Sequence, residues 1–164
     1  MKLFVGATKF EQKQIFAIKE IIESILRLTS HLEAKHKVPV QIEGDTNIAV
    51  NGSKSHLVQV LINLITNAYQ AIEPICTQRS PEIKIKISLS DNQVKISVQD
   101  NGVGILQENQ HRVFEPFYTT REVGQGMGLG LSVSHGIVQA LGSELKVKSQ
   151  VNEGTEFWFE LTTL

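Results

Sequence analysis

A carboxylate stands at the end of a predicted strand, directly before a glycine-rich turn. Asp100 closes the alternating stretch QVKISVQD and is followed by Asn-Gly-Val-Gly, so that Gly102 and Gly104 let the backbone approach a flat ring. A carboxylate here can accept a hydrogen bond from the exocyclic amine of adenine, whereas guanine carries a carbonyl at that position. The same residues also form ordinary turns, which is the alternative for this stretch taken alone.

A second glycine-rich stretch, GQGMGLGL at 124–131, precedes a predicted helix. Its glycines recur at every second position. Where such a run ends at a helix, free backbone N–H groups and the positive end of the helix dipole favour a phosphate. The spacing matches neither G-x-G-x-x-G nor G-x-x-x-x-G-K-[ST], so both of those nucleotide motifs are excluded. A flexible loop is the alternative.

Two asparagines four residues apart share one face of another predicted helix. Asn63 and Asn67 lie beside its apolar stripe, where asparagine is an unfavourable helix residue that needs polar partners. One interpretation is a pair of core amides that bond to nearby loops. The other is a neutral oxygen ligand for Mg²⁺, a cation that keeps few protein ligands and takes the rest from nucleotide phosphates.

Hydrophobic periodicity predicts the elements that must position these residues. Apolar spacings of three and four predict a helix over 15–34, and Ser53 is the expected N-cap of a second helix that ends before Pro74. Strict alternation predicts a β-hairpin over 82–100, with its turn at Asp91-Asn92. Short strands are expected at 38–42 and 47–50, a helix at 129–141 and a closing strand pair over 144–164. The stretch 106–128 has no sustained period, which is typical of a functional lid.

The order of these elements indicates the fold class. Strands mostly follow strands, so we expect a largely antiparallel sheet with the helices gathered on one face. That arrangement is an α+β fold, a two-layer α/β sandwich. A Rossmann or P-loop fold requires regular strand–helix alternation, and the pattern weighs against both.

Composition is that of an ordinary soluble domain. The chain has 164 residues, of which 41% are hydrophobic and 20% charged, and its net charge of −1 gives no reason to expect nucleic acid as a partner. The single cysteine, Cys76, cannot form an internal disulfide and fits a reducing compartment. The apolar run Leu3–Ala7 is too short to span a membrane. We therefore expect a cytoplasmic domain with no membrane segment in this chain, while a membrane-anchored parent protein stays open.

Four motifs in order carry a family resemblance. NLITNAYQA, DNGVGI, FEPFYTT and GMGLGL resemble the N, G1, F and G2 boxes of sensor histidine kinase catalytic domains, which share the Bergerat ATP-binding fold with DNA gyrase, heat-shock chaperones and MutL. The resemblance covers about 15–164 and is most similar to the nitrogen-regulatory type of sensor kinase. Residues 1–14 are then a linker or an expression remnant.

The resemblance implies a role for each site residue. Asn67 is the Mg²⁺ ligand, Asn63 lines the phosphate side and Asp100 binds the adenine amine, with Thr155 in support. The lid contains Phe114, Phe117, Tyr118, Thr119 and Thr120. The remaining residues expected to contact ATP are Gln70, Ala71, Gly102, Gly104, Ile105, Arg121, Gly126, Gly128, Leu129, Gly130 and Leu131.

Two departures from the family pattern bear on the chemistry. Many members carry a cation three residues after the Mg²⁺ asparagine, where this chain has Gln70, and Arg121 is either its replacement or an exposed surface arginine. Hydrolysing relatives carry a glutamate four residues before that asparagine, where this chain has Asn63. An amide is no general base near neutral pH, so transfer to a protein nucleophile is favoured over hydrolysis.

The acceptor histidine of a histidine kinase is expected outside this chain. None of the five histidines is followed directly by Asp or Glu, as the acceptor is in the family. The implied partners are a dimerisation and phosphoacceptor domain and, downstream, the receiver domain of a response regulator. Two alternatives stay open: an anti-sigma-type protein serine kinase, and a nucleotide-binding module without transfer activity.

Overall fold

The computed structural model describes residues 13–118 and 130–164 as seven strands, four α-helices and two 3-10 helices. The strands are β1 (Gln14–Ala17), β2 (Val40–Gly44), β3 (Ala49–Gly52), β4 (Ile83–Ser90), β5 (Gln93–Asp100), β6 (Lys146–Gln150) and β7 (Gly154–Thr162). The α-helices are α1 (Ile18–Leu28), α2 (Ser30–His36), α3 (Lys54–Ile72) and α4 (Gly130–Ala140). The 3-10 helices are Glu73–Ile75 and Gln107–Arg112.

Five strands form the main sheet, in the order β2-β4-β5-β7-β6. Every neighbouring pair is antiparallel except β2 with β4, which is parallel. The β4–β5 hairpin closes where Ser90 faces Gln93, and Asp91 adopts the left-handed conformation (φ 52°) that such tight turns require. The largely antiparallel sheet and the hairpin at 82–100 are therefore confirmed.

The helices pack on one face of this sheet. Alternate residues of β4 and β5 point into the core, which places Ile85 and Ile96 against the apolar side of α3. α3 begins as expected, because the Ser53 side chain accepts a hydrogen bond from the His56 backbone N–H. The buried side chains of α3 are Leu57, Val60, Leu61, Leu64, Ile65, Ala68, Tyr69 and Ile72. The two-layer α+β sandwich is confirmed.

The predicted helix over 15–34 is wrong at its start and in its middle. Residues 14–17 form β1, which pairs with β3 in a separate two-stranded sheet. Ile15 fits the helical spacing only by coincidence, since it is 65% exposed while its neighbour Phe16 is buried. The helix then breaks at Thr29, whose hydroxyl donates to the Ile25 carbonyl oxygen at 2.6 Å and so competes with helix continuation.

The strands expected around the Gly44-Asp45 turn exist, but they belong to different sheets. β2 pairs with β4, and β3 pairs with β1. Gly44 allows this divergence, because its φ is 111° and a Cβ there would lie 1.9 Å from the Ile87 carbonyl oxygen. Within the described ranges, none of the helices combines the length and apolar character needed to cross a membrane. The division into 1–14 and 15–164 stays a prediction.

Tyr69 joins α3 to the chain that enters β2. Its ring is buried, stacks on His36 at 5.1 Å, and its hydroxyl donates to the Val38 carbonyl oxygen at 2.6 Å. Burial raises the pKa of Tyr69 to about 12, so the hydroxyl keeps its proton and stays a donor.

Tyr69→Phe is expected to lower the free energy of unfolding by about 1–2 kcal/mol, because the buried Val38 carbonyl loses this donor. Urea titration measures the change. Tyr118→Phe is the matched control, since the Tyr118 hydroxyl has no hydrogen bond to any described residue. Equal effects of the two substitutions would contradict the assignment.

Candidate nucleotide-binding site

Asp100 lies at the end of β5, where it pairs with Ile83 of β4 on one side and with Thr155 of β7 on the other. The Gly102 backbone N–H donates to its Oδ1 at 2.8 Å. Burial raises the pKa of Asp100 to about 6, while the backbone N–H groups of Gly102 and Thr155 act in the opposite direction. The site thus contains a partly buried carboxylate that is ionised near neutral pH and can still accept a hydrogen bond from a ligand.

Gly102 brings the turn after β5 into direct contact with α3. A Cβ at this position would lie 2.3 Å from the Ala71 carbonyl oxygen, so no larger residue fits without displacing the backbone. The next residue adds a hydrogen bond to this contact, because the Val103 N–H donates to the Ala71 carbonyl oxygen at 3.0 Å. This close approach joins the turn that follows Asp100 to the C-terminal end of α3.

Gly104 and Ile105 run along the beginning of the β6–β7 connection. Gly104 has a φ of 74°, and a Cβ there would lie 2.2 Å from the Gln150 carbonyl oxygen. The Ile105 N–H donates to Ser149 Oγ at 2.8 Å, and the same Oγ lies 2.8 Å from Thr155 Oγ1. The Thr155 hydroxyl therefore holds the turn through Ser149, while its backbone N–H faces Asp100.

The two predicted asparagines occupy one face of α3 but have different surroundings. Asn63 Nδ2 donates to the Gly130 carbonyl oxygen at 3.2 Å and to Ser134 Oγ at 3.0 Å, so it joins α3 to the first turn of α4. Asn67, one turn later, has no hydrogen bond to any described residue. The Asn67 amide is available to a ligand, whereas the Asn63 amide nitrogen is engaged by α4.

The donor set of α3 fits a magnesium ion bound together with phosphate oxygens. Among the described residues no group of three or more His, Cys, Asp or Glu side chains could hold a metal. The amide oxygens of Asn67 and Gln70 accept from no described residue and are available instead. Gln70 Oε1 is buried, and no described residue donates to it, which is costly for an acceptor unless a ligand supplies a donor. Mg²⁺ suits such a site, since it keeps several waters and binds through few protein ligands.

Three lid residues lie within the part of the chain that the structure describes, and Phe114 among them contacts both α4 and β7. Phe114 stacks on His135 at 4.8 Å and meets Phe157 edge-on at 6.1 Å. Phe117 is 67% exposed with a φ of 64°, and the Arg112 guanidinium lies 5.0 Å from the Tyr118 ring centroid. Gly130 opens α4, and Leu131 packs partly buried against the core. The expected site residues Thr119, Thr120, Arg121, Gly126, Gly128 and Leu129 lie outside the described residues.

Three residues that support the site carry no sequence signal. Ser149 bonds to the Ile105 N–H, and Gln110 Nε2 donates to the carbonyl oxygens of Ile105 and Ser149 at 3.2 and 2.9 Å. Arg79 donates to the backbone of the turn that follows Asp100. All three contact backbone atoms across large sequence separations, so neither motif nor spacing could reveal them.

Comparison with protein families identifies the kind of domain. Residues 52–163 match the family described as histidine kinase-, DNA gyrase B-, and HSP90-like ATPase. The chain belongs to this ATPase family. The matched range contains every predicted site residue from Asn63 to Thr155.

Curated relatives of this ATPase domain are sensor histidine kinases. The chain is 33% identical over 153 residues to the signal transduction histidine-protein kinase AtoS of Escherichia coli, which is 91% of this chain and 24% of AtoS. It is 31% identical over 158 residues to the sensor histidine kinase AruS of Pseudomonas aeruginosa, which is 89% of this chain and 15% of AruS. The chain thus spans about a quarter or less of these two relatives.

Solved structures agree with this family. The catalytic domain of histidine kinase ThkA matches with a TM-score of 0.78 and 29% identity, covering 93% of this chain and 96% of the other. Full-length ShkA, solved in complex with AMPPNP, matches with a TM-score of 0.80 and 25% identity, covering 96% of this chain and 33% of the other. A histidine kinase catalytic domain is confirmed, and the nitrogen-regulatory subtype stays a prediction.

Asp100→Asn removes the partly buried ionisable group, so its effect on the stability of the nucleotide-free ATPase domain is expected to depend on pH. Because the pKa of Asp100 is raised to about 6 in the folded protein, the folded state binds this proton more tightly than the unfolded state does. The contribution of Asp100 therefore lowers the free energy of unfolding of the wild type progressively as pH rises from about 4 to about 6. Above that range the contribution is constant.

The substituted protein is expected to become more stable relative to wild type across that pH window. Urea titrations of both proteins at several pH values between about 4 and 8 measure the difference in free energy of unfolding. A difference that stays flat through the window would show that Asp100 is not buried as an ionisable group.

Proposed function

We propose that this chain binds Mg-ATP and donates the γ-phosphoryl group to a histidine on a separate dimerisation and phosphoacceptor domain, as a step in two-component signal transduction. The observation that carries the proposal is the Asp100 carboxyl, held against α3 by the Gly102 turn and still able to accept one more hydrogen bond. Membership of the histidine kinase-like ATPase family supports ATP as the nucleotide.

The adenine base of ATP would lie at the Asp100 end of the site. A carboxylate accepts from the adenine amine and cannot accept from the guanine carbonyl, so this residue type selects one purine. Gly104 and Ile105 form the adjoining backbone, and Ser149 keeps that backbone in place. The expected contacts of Tyr118 and Ala71 complete this end of the proposed site.

The phosphates would lie between α3 and the start of α4. Asn67 would hold Mg²⁺ through its amide oxygen, and a metal-bound water could donate to the Gln70 oxygen that lacks a partner. α4 begins at Gly130, where its positive dipole end favours a phosphate, and Asn63 fixes the position of this end relative to α3. When bound, the cation neutralises charge on the phosphates.

This arrangement suits phosphoryl transfer better than hydrolysis. Such transfer depends mainly on positioning and charge neutralisation, which backbone N–H groups and amides can supply. The Asn63 amide is no base, and its N–H groups already serve α4, so the position offers no means of activating water. In transfer, the bond between the γ-phosphorus and ADP breaks and a phosphorus–nitrogen bond to imidazole forms, while a base outside this chain takes the imidazole proton.

Two histidines of the chain have packing roles that support an external acceptor. His36 stacks on buried Tyr69, and His135 stacks on Phe114. The histidine kinase ThkA has been solved in complex with response regulator protein TrrA, which supports a receiver domain as the downstream partner here.

The test is transfer from γ-labelled ATP to two acceptors, the phosphoacceptor domain of AtoS and an anti-sigma-type serine substrate. We expect label on the first acceptor only, labile in acid and stable in base, as phosphohistidine is. Acid-stable label on the serine substrate would favour the serine kinase alternative. Saturable ATP binding without transfer to either acceptor would favour a binding module.

Asn67→Ala is expected to weaken ATP binding about tenfold in Mg²⁺ and to leave it unchanged in EDTA, because only the metal-bound complex uses this amide. Calorimetric titration in both buffers measures the two affinities. Asn92→Ala in the exposed β4–β5 turn is the matched control. Equal losses with and without metal would contradict the ligand role of Asn67.

A further inference from the structure

The connection between α3 and β4 places an arginine against the turn that follows Asp100. Arg79 Nε and Nη2 donate to the Asn101 carbonyl oxygen at 3.1 and 2.7 Å, and Nη2 also donates to the Gly102 carbonyl oxygen at 2.9 Å. Arg79 is half-buried, and no described carboxylate forms an ion pair with it. Its charge is therefore directed at two backbone carbonyls.

These two carbonyls belong to the peptide planes that form the site. In a trans peptide the C=O and the N–H point in opposite directions across one rigid plane. The plane with the Asn101 carbonyl carries the Gly102 N–H, which donates to Asp100 Oδ1 at 2.8 Å. The plane with the Gly102 carbonyl carries the Val103 N–H, which donates to the Ala71 carbonyl oxygen at 3.0 Å. Arg79 thus contacts the carbonyl side of both peptide planes, and the N–H groups on their opposite side bond to Asp100 and to α3.

The same contacts affect the strength of those bonds. A cationic donor on a carbonyl oxygen polarises the peptide, so the N–H on the other side becomes a stronger donor. The Gly102 N–H then binds the ionised Asp100 carboxylate more tightly, and the carboxylate keeps one orientation. The forked N–H donors of the Arg79 guanidinium reach two adjacent carbonyl oxygens. The single ammonium group of a lysine cannot reach both in the same geometry.

A second set of bonds holds the turn at the same connection. Asn101 Nδ2 donates to the Ser80 carbonyl oxygen at 2.8 Å, and its Oδ1 accepts from the Glu82 N–H at 2.7 Å. The Asn101 N–H donates to the Glu82 carbonyl oxygen at 3.3 Å. The backbone that follows Arg79 is therefore tied to the same turn that the Arg79 guanidinium contacts.

We propose that Arg79 is a positioning residue that sets the purine selectivity of the nucleotide site by holding the Asp100–Gly102 turn in the orientation that accepts from an exocyclic amine. This inference rests on the proposed function. It predicts that Arg79 matters for the contact between Asp100 and the base, and not for the phosphate end of the site.

The experiment compares ATP with ITP, which has a carbonyl in place of the adenine amine. Calorimetric titrations in Mg²⁺ are made with wild type, Arg79→Gln, Arg79→Lys, Asp100→Asn and the double variant Arg79→Gln/Asp100→Asn. Arg27→Gln, on the exposed side of α1, is the matched control. Thermal unfolding without nucleotide reports on the fold of each variant.

The expected result for Arg79→Gln is an ATP affinity about tenfold lower with the ITP affinity unchanged, the size of one lost charge-assisted hydrogen bond. Arg79→Lys is expected to recover part of the loss, because lysine can still reach one carbonyl. In the Asp100→Asn background, Arg79→Gln is expected to have no further effect on ATP affinity, because both changes act on one contact. Arg27→Gln is expected to match wild type.

The outcomes separate the inference from the proposed function. Equal losses for ATP and ITP, or losses that add to those of Asp100→Asn, would show that Arg79 is only structural and would overturn the inference. A wild-type protein that binds ATP and ITP equally, or neither, would remove the proposed role of Asp100 as well. If Arg79→Gln does not fold, Arg79→Lys gives the same ATP-to-ITP comparison.

Discussion

The candidate site depends on one close contact, between the turn after β5 and the last turns of α3. Gly102 touches the Ala71 carbonyl with no room for a side chain, and the Val103 N–H bonds to the same oxygen. This contact sets the distance between a carboxylate on the sheet and the amides on the helix. Asp100 lies two residues before Gly102, so the contact brings the end of β5 to the last turns of α3.

Charge is scarce in this site, and that scarcity decides which chemistry the described residues can perform. The α3 face offers neutral amides, and across from it burial raises the pKa of the Asp100 carboxyl at the end of β5. Without a base at Asn63, a water beside the phosphates gains no nucleophilicity from this helix. In the proposed function, the domain would therefore hold a phosphoryl donor that hydrolyses slowly until a nucleophile arrives from another domain.

The sequence predicted the elements with regular period, and it failed where tertiary contacts overrode local pattern. The β4–β5 hairpin, α3 with its Ser53 cap and the order of the four motifs were readable because alternation, capping and glycine placement are local properties. The sequence did not indicate β1, because Ile15 fits the spacing of a helical stripe. It did not indicate the parallel pairing of β2 either, because the partner strand lies about 40 residues away. Arg79 and Ser149 bond to backbone, which any residue could offer, so no pattern of side chains reveals them.

The energetics of Asp100 connect these supports to ligand binding. Burying a carboxylate without a cation costs free energy, and the fold offsets part of that cost with N–H groups from Gly102 and Thr155. Arg79 contributes from the far side of the Gly102 peptide, so its charge stabilises the carboxylate without occupying the oxygen that a ligand needs. A direct ion pair would use all the hydrogen-bond acceptor capacity of the Asp100 carboxylate and leave none for the amine of a nucleobase. In the proposed function, an amine-bearing ligand would therefore stabilise the folded domain, since it would supply a donor to the acceptor capacity that the protein leaves open on Asp100.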